Sequence, residues 1–133
     1  MTVSKYIKLS DLEIYKLSRG LSSIAWKGYE ELTWQDKRIM GDQFVSSVDS
    51  VGANIAEGYG RYHYLDKVKF YYNSRGSLSE SCNHWLELLY ERGKISKESF
   101  SAMKIIAEKL SIKLNNFINS TYQSRDTQLH EPN

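Results

Sequence analysis

The sequence predicts an all-α protein, an antiparallel up-down four-helix bundle. Apolar residues recur every three or four positions in four successive stretches, which is the spacing of helices that bury one face. Short polar or glycine-containing segments separate the stretches, and no run alternates between apolar and polar residues as a strand would. Because short links join antiparallel neighbours, four helices of similar length favour the up-down arrangement.

Two apolar series predict the first two helices. The first is Ile14, Leu17, Leu21, Ile24, Gly28 and Leu32, and the second is Phe44, Val48, Val51 and Ile55. Thr33 precedes the second helix and can cap it, with Asp36 three residues later as its partner in a capping box. Gly58 and Gly60 follow the second series, and we expect them to end this helix in a left-handed conformation.

Two further series predict the third and fourth helices. They are Val68, Tyr71, Arg75, Leu78, Cys82, Trp85 and Leu89, and then Met103, Ile106, Leu110, Leu114 and Phe117. The third helix is expected over residues 64–92 and would be roughly 40 Å long at about 1.5 Å per residue. Gly93 marks its end, and Ser96 can cap the fourth helix.

Several glycines fall inside the predicted helices, where each costs up to about 1 kcal/mol relative to alanine. They are Gly20, Gly28, Gly41, Gly52 and Gly76. We interpret these glycines as positions where two helices approach closely.

Length and composition predict one soluble domain. A chain of 133 residues with 41% hydrophobic residues suits a single packed core, expected over residues 1–122, followed by a disordered polar tail over residues 123–133. The single cysteine, Cys82, excludes an intramolecular disulfide and fits the cytoplasm. No apolar run approaches the roughly 20 residues of a membrane span. The histidines are scattered, and no metal site, cofactor-binding motif or phosphate-binding loop is predicted.

A polar group interrupts the apolar faces of the second and third helices. Arg75 occupies a predicted buried position, where an unpaired charge would cost several kcal/mol. Asn54 and Glu57, at the end of the second helix, are its predicted partners in a structural polar network. The same three residues are also compatible with a ligand or nucleic-acid site, or with an active site.

Aromatic and basic residues alternate over residues 59–75. Aromatic rings stack on bases and cations hold phosphates, so this mixture suits single-stranded RNA or DNA. Arg61, Tyr62, Lys67 and Lys69 are the candidate nucleic-acid-binding residues. The alternative is that the tyrosines lie half-buried at helix ends or subunit contacts, where a ring with a wet hydroxyl is favoured.

The motifs Asn54-Ile55-Ala56-Glu57-Gly58, Gly60-Arg61 and Arg75-Gly76-Ser77-Leu78 resemble those of the 23S rRNA-intervening sequence proteins. The resemblance implies an antiparallel four-helix bundle that assembles into rings, with pentamers expected. A related bundle is the accessory protein of the reverse transcriptase in diversity-generating retroelements and binds nucleic acid. No enzymatic activity is established for the family, and its name records where the genes lie.

These observations predict a non-catalytic homo-oligomer that binds RNA or DNA and uses no cofactor. Self-association is expected because more aromatic residues are present than four buried faces require, including Trp26, Trp34, Phe70 and Tyr72. One alternative is a structural or protein-interaction module with no nucleic-acid role. Another is an enzyme that uses Glu57 and Arg75.

Overall fold

The computed structural model describes residues 6–124, and within this range the chain forms four long helices and a short 3₁₀ turn at Leu9–Asp11. Helix α1 is Glu13–Glu30. Helix α2 comprises Trp34–Asp36, a π-helical turn at Lys37–Gly41 and Asp42–Tyr59. Helix α3 comprises Tyr64–Ser79, a second π-helical turn at Glu80–Trp85 and Leu86–Glu91, and helix α4 is Lys97–Gln123.

The four helices form an up-down bundle, as the sequence predicts. Each helix packs against the next one in the chain, and α1 also packs against α4, so the helices surround one core. The predicted disordered tail begins at residue 123, and residues 125–133 lie outside the described part. No helix within residues 6–124 combines the length and the apolarity needed to span a bilayer.

Local capping follows the sequence at three of the four predicted helix ends. The Thr33 hydroxyl accepts a hydrogen bond from the Asp36 N–H at 3.1 Å, and the Ser96 hydroxyl accepts one from the Ser99 N–H at 3.1 Å. Gly93 has a φ of 69° after the end of α3. Each of these side chains or conformations satisfies backbone groups that a helix end leaves unpaired.

The predicted left-handed end of α2 is wrong. Gly60 has a φ of −79°, and its N–H bonds to the Ala56 carbonyl, so α2 ends in right-handed geometry. Gly58 lies inside α2 and is buried against α3. A Cβ added to Gly58 would lie 2.7 Å from the Tyr71 ring and 3.0 Å from the Lys67 carbonyl oxygen. Gly58 is therefore required by close helix contact and not by its backbone conformation.

The glycine interpretation is confirmed at two of the five internal positions. A Cβ on Gly41 would lie 3.0 Å from the Tyr29 ring of α1, and one on Gly52 would lie 2.7 Å from the Ser18 hydroxyl of α1. Gly76 differs, because a Cβ there would meet no atom within 4 Å. Helix packing thus gives no reason for a glycine at position 76.

The core faces of α3 differ from the predicted series at two positions. Ser74 is fully buried in place of Arg75, and its hydroxyl donates to the Val51 carbonyl of α2 at 2.7 Å. Leu86 is fully buried in place of Trp85. The π-helical turn at Glu80–Trp85 contains one more residue than an α-helical turn and so accounts for Leu86, whereas Ser74 lies in the α-helical part before it, three residues after the buried Tyr71.

Candidate nucleic-acid interface

The end of the bundle that carries the turn between α2 and α3, residues 60–63, holds the candidate nucleic-acid-binding residues. Arg61 and Tyr62 lie in the turn and are exposed, and Tyr62 exposes 80% of its surface. Lys67 and Lys69 follow in the first turns of α3, where Lys67 is half-buried and Lys69 is exposed. The structure therefore presents an exposed ring with two exposed cations near it in the chain.

Arg61 is held in place by two neighbours. Its guanidinium lies 3.1 Å from the Glu57 carboxylate, and its Cζ lies 4.9 Å from the centre of the Phe70 ring. Both charged side chains remain about half exposed, so water screens the pair and its contribution to stability is small. A guanidinium has five N–H donors, and this arrangement leaves several of them for an anion.

Lys67 has a structural contact at this end. Its ammonium donates to the Tyr59 carbonyl oxygen at 3.0 Å and lies 5.4 Å from the centre of the Tyr59 ring. Burial lowers the pKa of Lys67, because desolvation disfavours the charged form. Lys67 thus satisfies a carbonyl at the C-terminus of α2 and ties α2 to α3.

The chain segment before α1 packs onto the same end of the bundle. The Tyr59 hydroxyl donates to the Ile7 carbonyl, and the Tyr6 and Tyr59 rings lie 6.1 Å apart. Burial raises the pKa of Tyr59. Tyr6 is 79% exposed and Lys8 is exposed, so this segment adds a second ring and a further cation. The sequence analysis missed both residues because a contact across 52 positions leaves no local pattern.

The predicted network of Asn54, Glu57 and Arg75 is not formed. The Asn54 amide donates to the Ser50 carbonyl at 2.8 Å, and Glu57 pairs with Arg61. Arg75 is exposed, and its Nη1 donates to the Asn115 side chain of α4 at 3.0 Å. Ser74 takes the buried position, so Arg75 points away from α2 and needs no buried partner.

A groove of about 850 Å³ runs between α3 and α4 beside Arg75. Its floor includes Leu78, Cys82 and Ala107, and Tyr72, Gly76 and Ile112 line its rim. The polar side chains that line it are Arg75, Ser79, Asn83, Lys104, Glu108 and Ser111. Sequence reasoning missed this groove because its two walls are far apart in the chain.

Both cations that line the groove have partners on the neighbouring helix, and that of Arg75 is Asn115. The Lys104 ammonium donates to the Cys82 carbonyl in the π-helical turn at 2.7 Å and also pairs with Glu87. Burial raises the pKa of the Cys82 thiol, which disfavours the thiolate. Within residues 6–124, no three His, Cys, Asp or Glu side chains are grouped so that they could hold a metal ion.

Large apolar side chains are exposed on several faces of the bundle. Among the predicted contact residues, Trp34 is 62% exposed, Trp26 is 49% exposed and Tyr72 is 40% exposed. Phe70 is half-buried beneath Arg61. The sequence analysis missed the exposed isoleucines Ile39, Ile105 and Ile112.

Known proteins similar to this chain confirm the resemblance seen in the motifs. The family model described as 23S rRNA-intervening sequence protein matches residues 10–116. A solved structure from Bacteroides thetaiotaomicron VPI-5482, described as a protein of unknown function from the S23 ribosomal protein family, has a TM-score of 0.72. It shares 23% sequence identity over 79% of this chain and 97% of its own, which shows a common fold. No curated protein matches.

Proposed function

The chain belongs to the family of 23S rRNA-intervening sequence proteins, and from this premise we propose that it is a self-associating protein that binds single-stranded RNA or DNA. The observation that carries the proposal is Tyr62, an 80% exposed ring in a turn that also holds Arg61. Single-stranded RNA is the first ligand to test, because base stacking and phosphate contacts suit any single strand.

The chemistry of this end suits a nucleic-acid strand. An exposed tyrosine ring stacks on a base and is worth about 1–3 kcal/mol per base. Arg61 and Lys69 are exposed and supply cations for phosphates, which dominate such affinity. Lys67 supports the site indirectly, because its ammonium holds the C-terminus of α2 against the start of α3.

Self-association would multiply this site. The formal charge of the whole chain is only +2, so a single copy offers a weak electrostatic attraction. Several copies in one assembly raise the effective concentration of the site for a long strand. The exposed apolar side chains of Trp34 and Ile39 support an interface between copies, and a pentamer is the assembly that the family resemblance implies.

The test of nucleic-acid binding is fluorescence anisotropy with labelled single-stranded and structured RNA at low salt. The double variant Arg61→Glu/Lys69→Glu should abolish binding, and Tyr62→Ala should weaken it by about 1–3 kcal/mol. The matched control is Lys27→Glu/Lys97→Glu, which makes the same charge change at exposed positions at the other end of the bundle. Absence of parent binding at tens of micromolar protein would overturn the proposal, and so would equal losses in both double variants.

The second candidate function is a protein-interaction module with no nucleic-acid role. The exposed Ile105 and Ile112, at 70% and 58% exposure, favour this candidate because they lie on α4 away from the basic turn. Light scattering during size-exclusion chromatography distinguishes an oligomer from a monomer. A mass of 15.5 kDa at micromolar concentration would rule out self-association in both candidates.

A further inference from the structure

We propose that the groove between α3 and α4 is a second part of the nucleic-acid-binding surface and holds a segment of single strand that leaves the turn at residues 60–63. This inference rests on the proposed function and extends it to Tyr72, Arg75 and Gly76. These three residues lie outside the turn at residues 60–63 that carries the proposed function.

One face of α3 connects the turn to the groove. Leu65, Lys69, Tyr72, Gly76 and Ser79 follow one another at steps of three or four, so they lie along a single face of the helix. All five are exposed, and the last three line the groove. At about 1.5 Å per residue the face is roughly 20 Å long. A strand bound at the turn is thus led along α3 into the groove.

Tyr72 and Arg75 form a platform at the entrance to the groove. The Arg75 Cζ lies 4.7 Å from the centre of the Tyr72 ring, and one Arg75 N–H donates to Asn115. An exposed ring beside a guanidinium with remaining donors provides both a stacking surface and a phosphate contact.

Gly76 has no packing role that accounts for it. It lies in the interior of α3, where glycine costs up to about 1 kcal/mol relative to alanine. A Cβ at this position would meet no atom within 4 Å, in contrast to the crowded Gly41, Gly52 and Gly58. Glycine is the residue that lets a ligand approach the backbone closely. The bare backbone at Gly76 keeps the wall of the groove low where a strand would pass.

The hydrogen-bond donors of the groove suit a nucleic-acid strand, whereas its uncompensated charges, Arg75 and Glu108, sum to zero and give it no net charge. Arg75 and Lys104 contribute two cations, and Glu108 contributes one acid. The Lys104 ammonium is already bonded to the Cys82 carbonyl and to Glu87, so Arg75 is the cation available to a phosphate. The hydroxyl and amide groups of Ser79, Asn83 and Ser111 supply neutral hydrogen bonds to sugar and phosphate oxygens.

The test measures the affinity of groove variants for labelled single-stranded RNA by anisotropy. Gly76→Gln places a neutral side chain in the groove and should weaken binding about tenfold, the effect of losing roughly one stacked base. Ser23→Gln is the matched control, since Ser23 is exposed in the groove between α1 and α2 on the opposite side of the bundle. Arg75→Gln should reduce the slope of log K against log salt by about 0.7, the contribution of one phosphate contact to a single strand.

The outcomes separate this inference from the proposed function. If Gly76→Gln and Arg75→Gln bind like the parent while Arg61→Glu/Lys69→Glu does not bind, the groove is not a strand site and the proposed function stands. If the parent itself does not bind, both are overturned. If Gly76→Gln lowers the mass seen by light scattering and leaves affinity unchanged, the groove is a contact between copies and the inference is wrong.

Discussion

The close contact between α2 and α3 at Gly58 predicts that a larger residue at this position lowers stability. Replacing Gly58 by alanine adds one methyl group where the Tyr71 ring lies at 2.7 Å and the Phe70 Cβ at 3.0 Å. The third neighbour is the Lys67 carbonyl oxygen at 3.0 Å, a backbone atom that cannot rotate away. Relief of the contact therefore requires the two helices to move apart near residue 58.

The size of the effect follows from comparison with Gly76→Ala. Inserting a methyl group into a packed interface costs about 1–3 kcal/mol. Replacing a helical glycine by alanine also gains up to about 1 kcal/mol, and this gain applies to both variants. A Cβ at Gly76 meets nothing within 4 Å, so that variant reports the gain alone. We expect Gly58→Ala to be about 1–3 kcal/mol less stable than Gly76→Ala.

Urea unfolding followed by circular dichroism measures this difference. All proteins are compared at one protein concentration, because self-association makes apparent stability depend on concentration. Thermal melts should show Gly58→Ala unfolding several degrees below Gly76→Ala, since about 1 kcal/mol corresponds to roughly 4 °C for a domain of this size. Equal stability of the two variants would refute the argument that contact with α3 requires Gly58.

Two further predictions concern ionisable groups. Burial raises the pKa of Tyr71 above its ordinary 10.0, so stability that is fully present below pH 10 is lost as the pH rises toward the folded-state pKa. Tyr71→Phe should therefore remove an alkaline loss of stability of up to about 1.4 kcal/mol per pH unit. Urea unfolding at pH 9–11 measures this loss. The same dependence of the unfolding free energy on pH in both proteins would contradict the prediction. Glu57→Ala and Arg75→Ala should each change stability by less than about 1 kcal/mol, because both residues are exposed. A double-mutant cycle of the two residues should give a coupling free energy within about 0.5 kcal/mol of zero, and a larger value would indicate that they do form a buried network.

Periodicity and capping residues were sufficient to predict the bundle. The spacing of Phe44, Val48, Val51 and Ile55 predicts the core face of α2, and all four are buried. Thr33 and Ser96 identify two helix starts because a capping hydroxyl bonds to the N–H three residues later, which is a local interaction. Local interactions of this kind are encoded in neighbouring residues, so sequence reasoning detects them.

The candidate site was only partly predictable, because its contacts join distant parts of the chain. Residue spacing placed Arg75 in the core, whereas the buried position belongs to Ser74, whose hydroxyl bonds to a carbonyl of α2. Nothing near Tyr6 in sequence indicates that it packs beside Tyr59. The groove between α3 and α4 likewise depends on which faces of two helices meet, and this is decided by packing of the whole bundle.

The π-helical turn at Glu80–Trp85 affects how this chain is aligned with its relatives. A π-helical turn closes through i→i+5 hydrogen bonds, so it absorbs one residue that an α-helix would have to expel from its buried face. A relative whose third helix is α-helical throughout would reach the same core position with one residue fewer. Its correct alignment would need a single-residue gap within residues 80–85, and an ungapped alignment would pair the buried Leu86 with a surface residue of that relative.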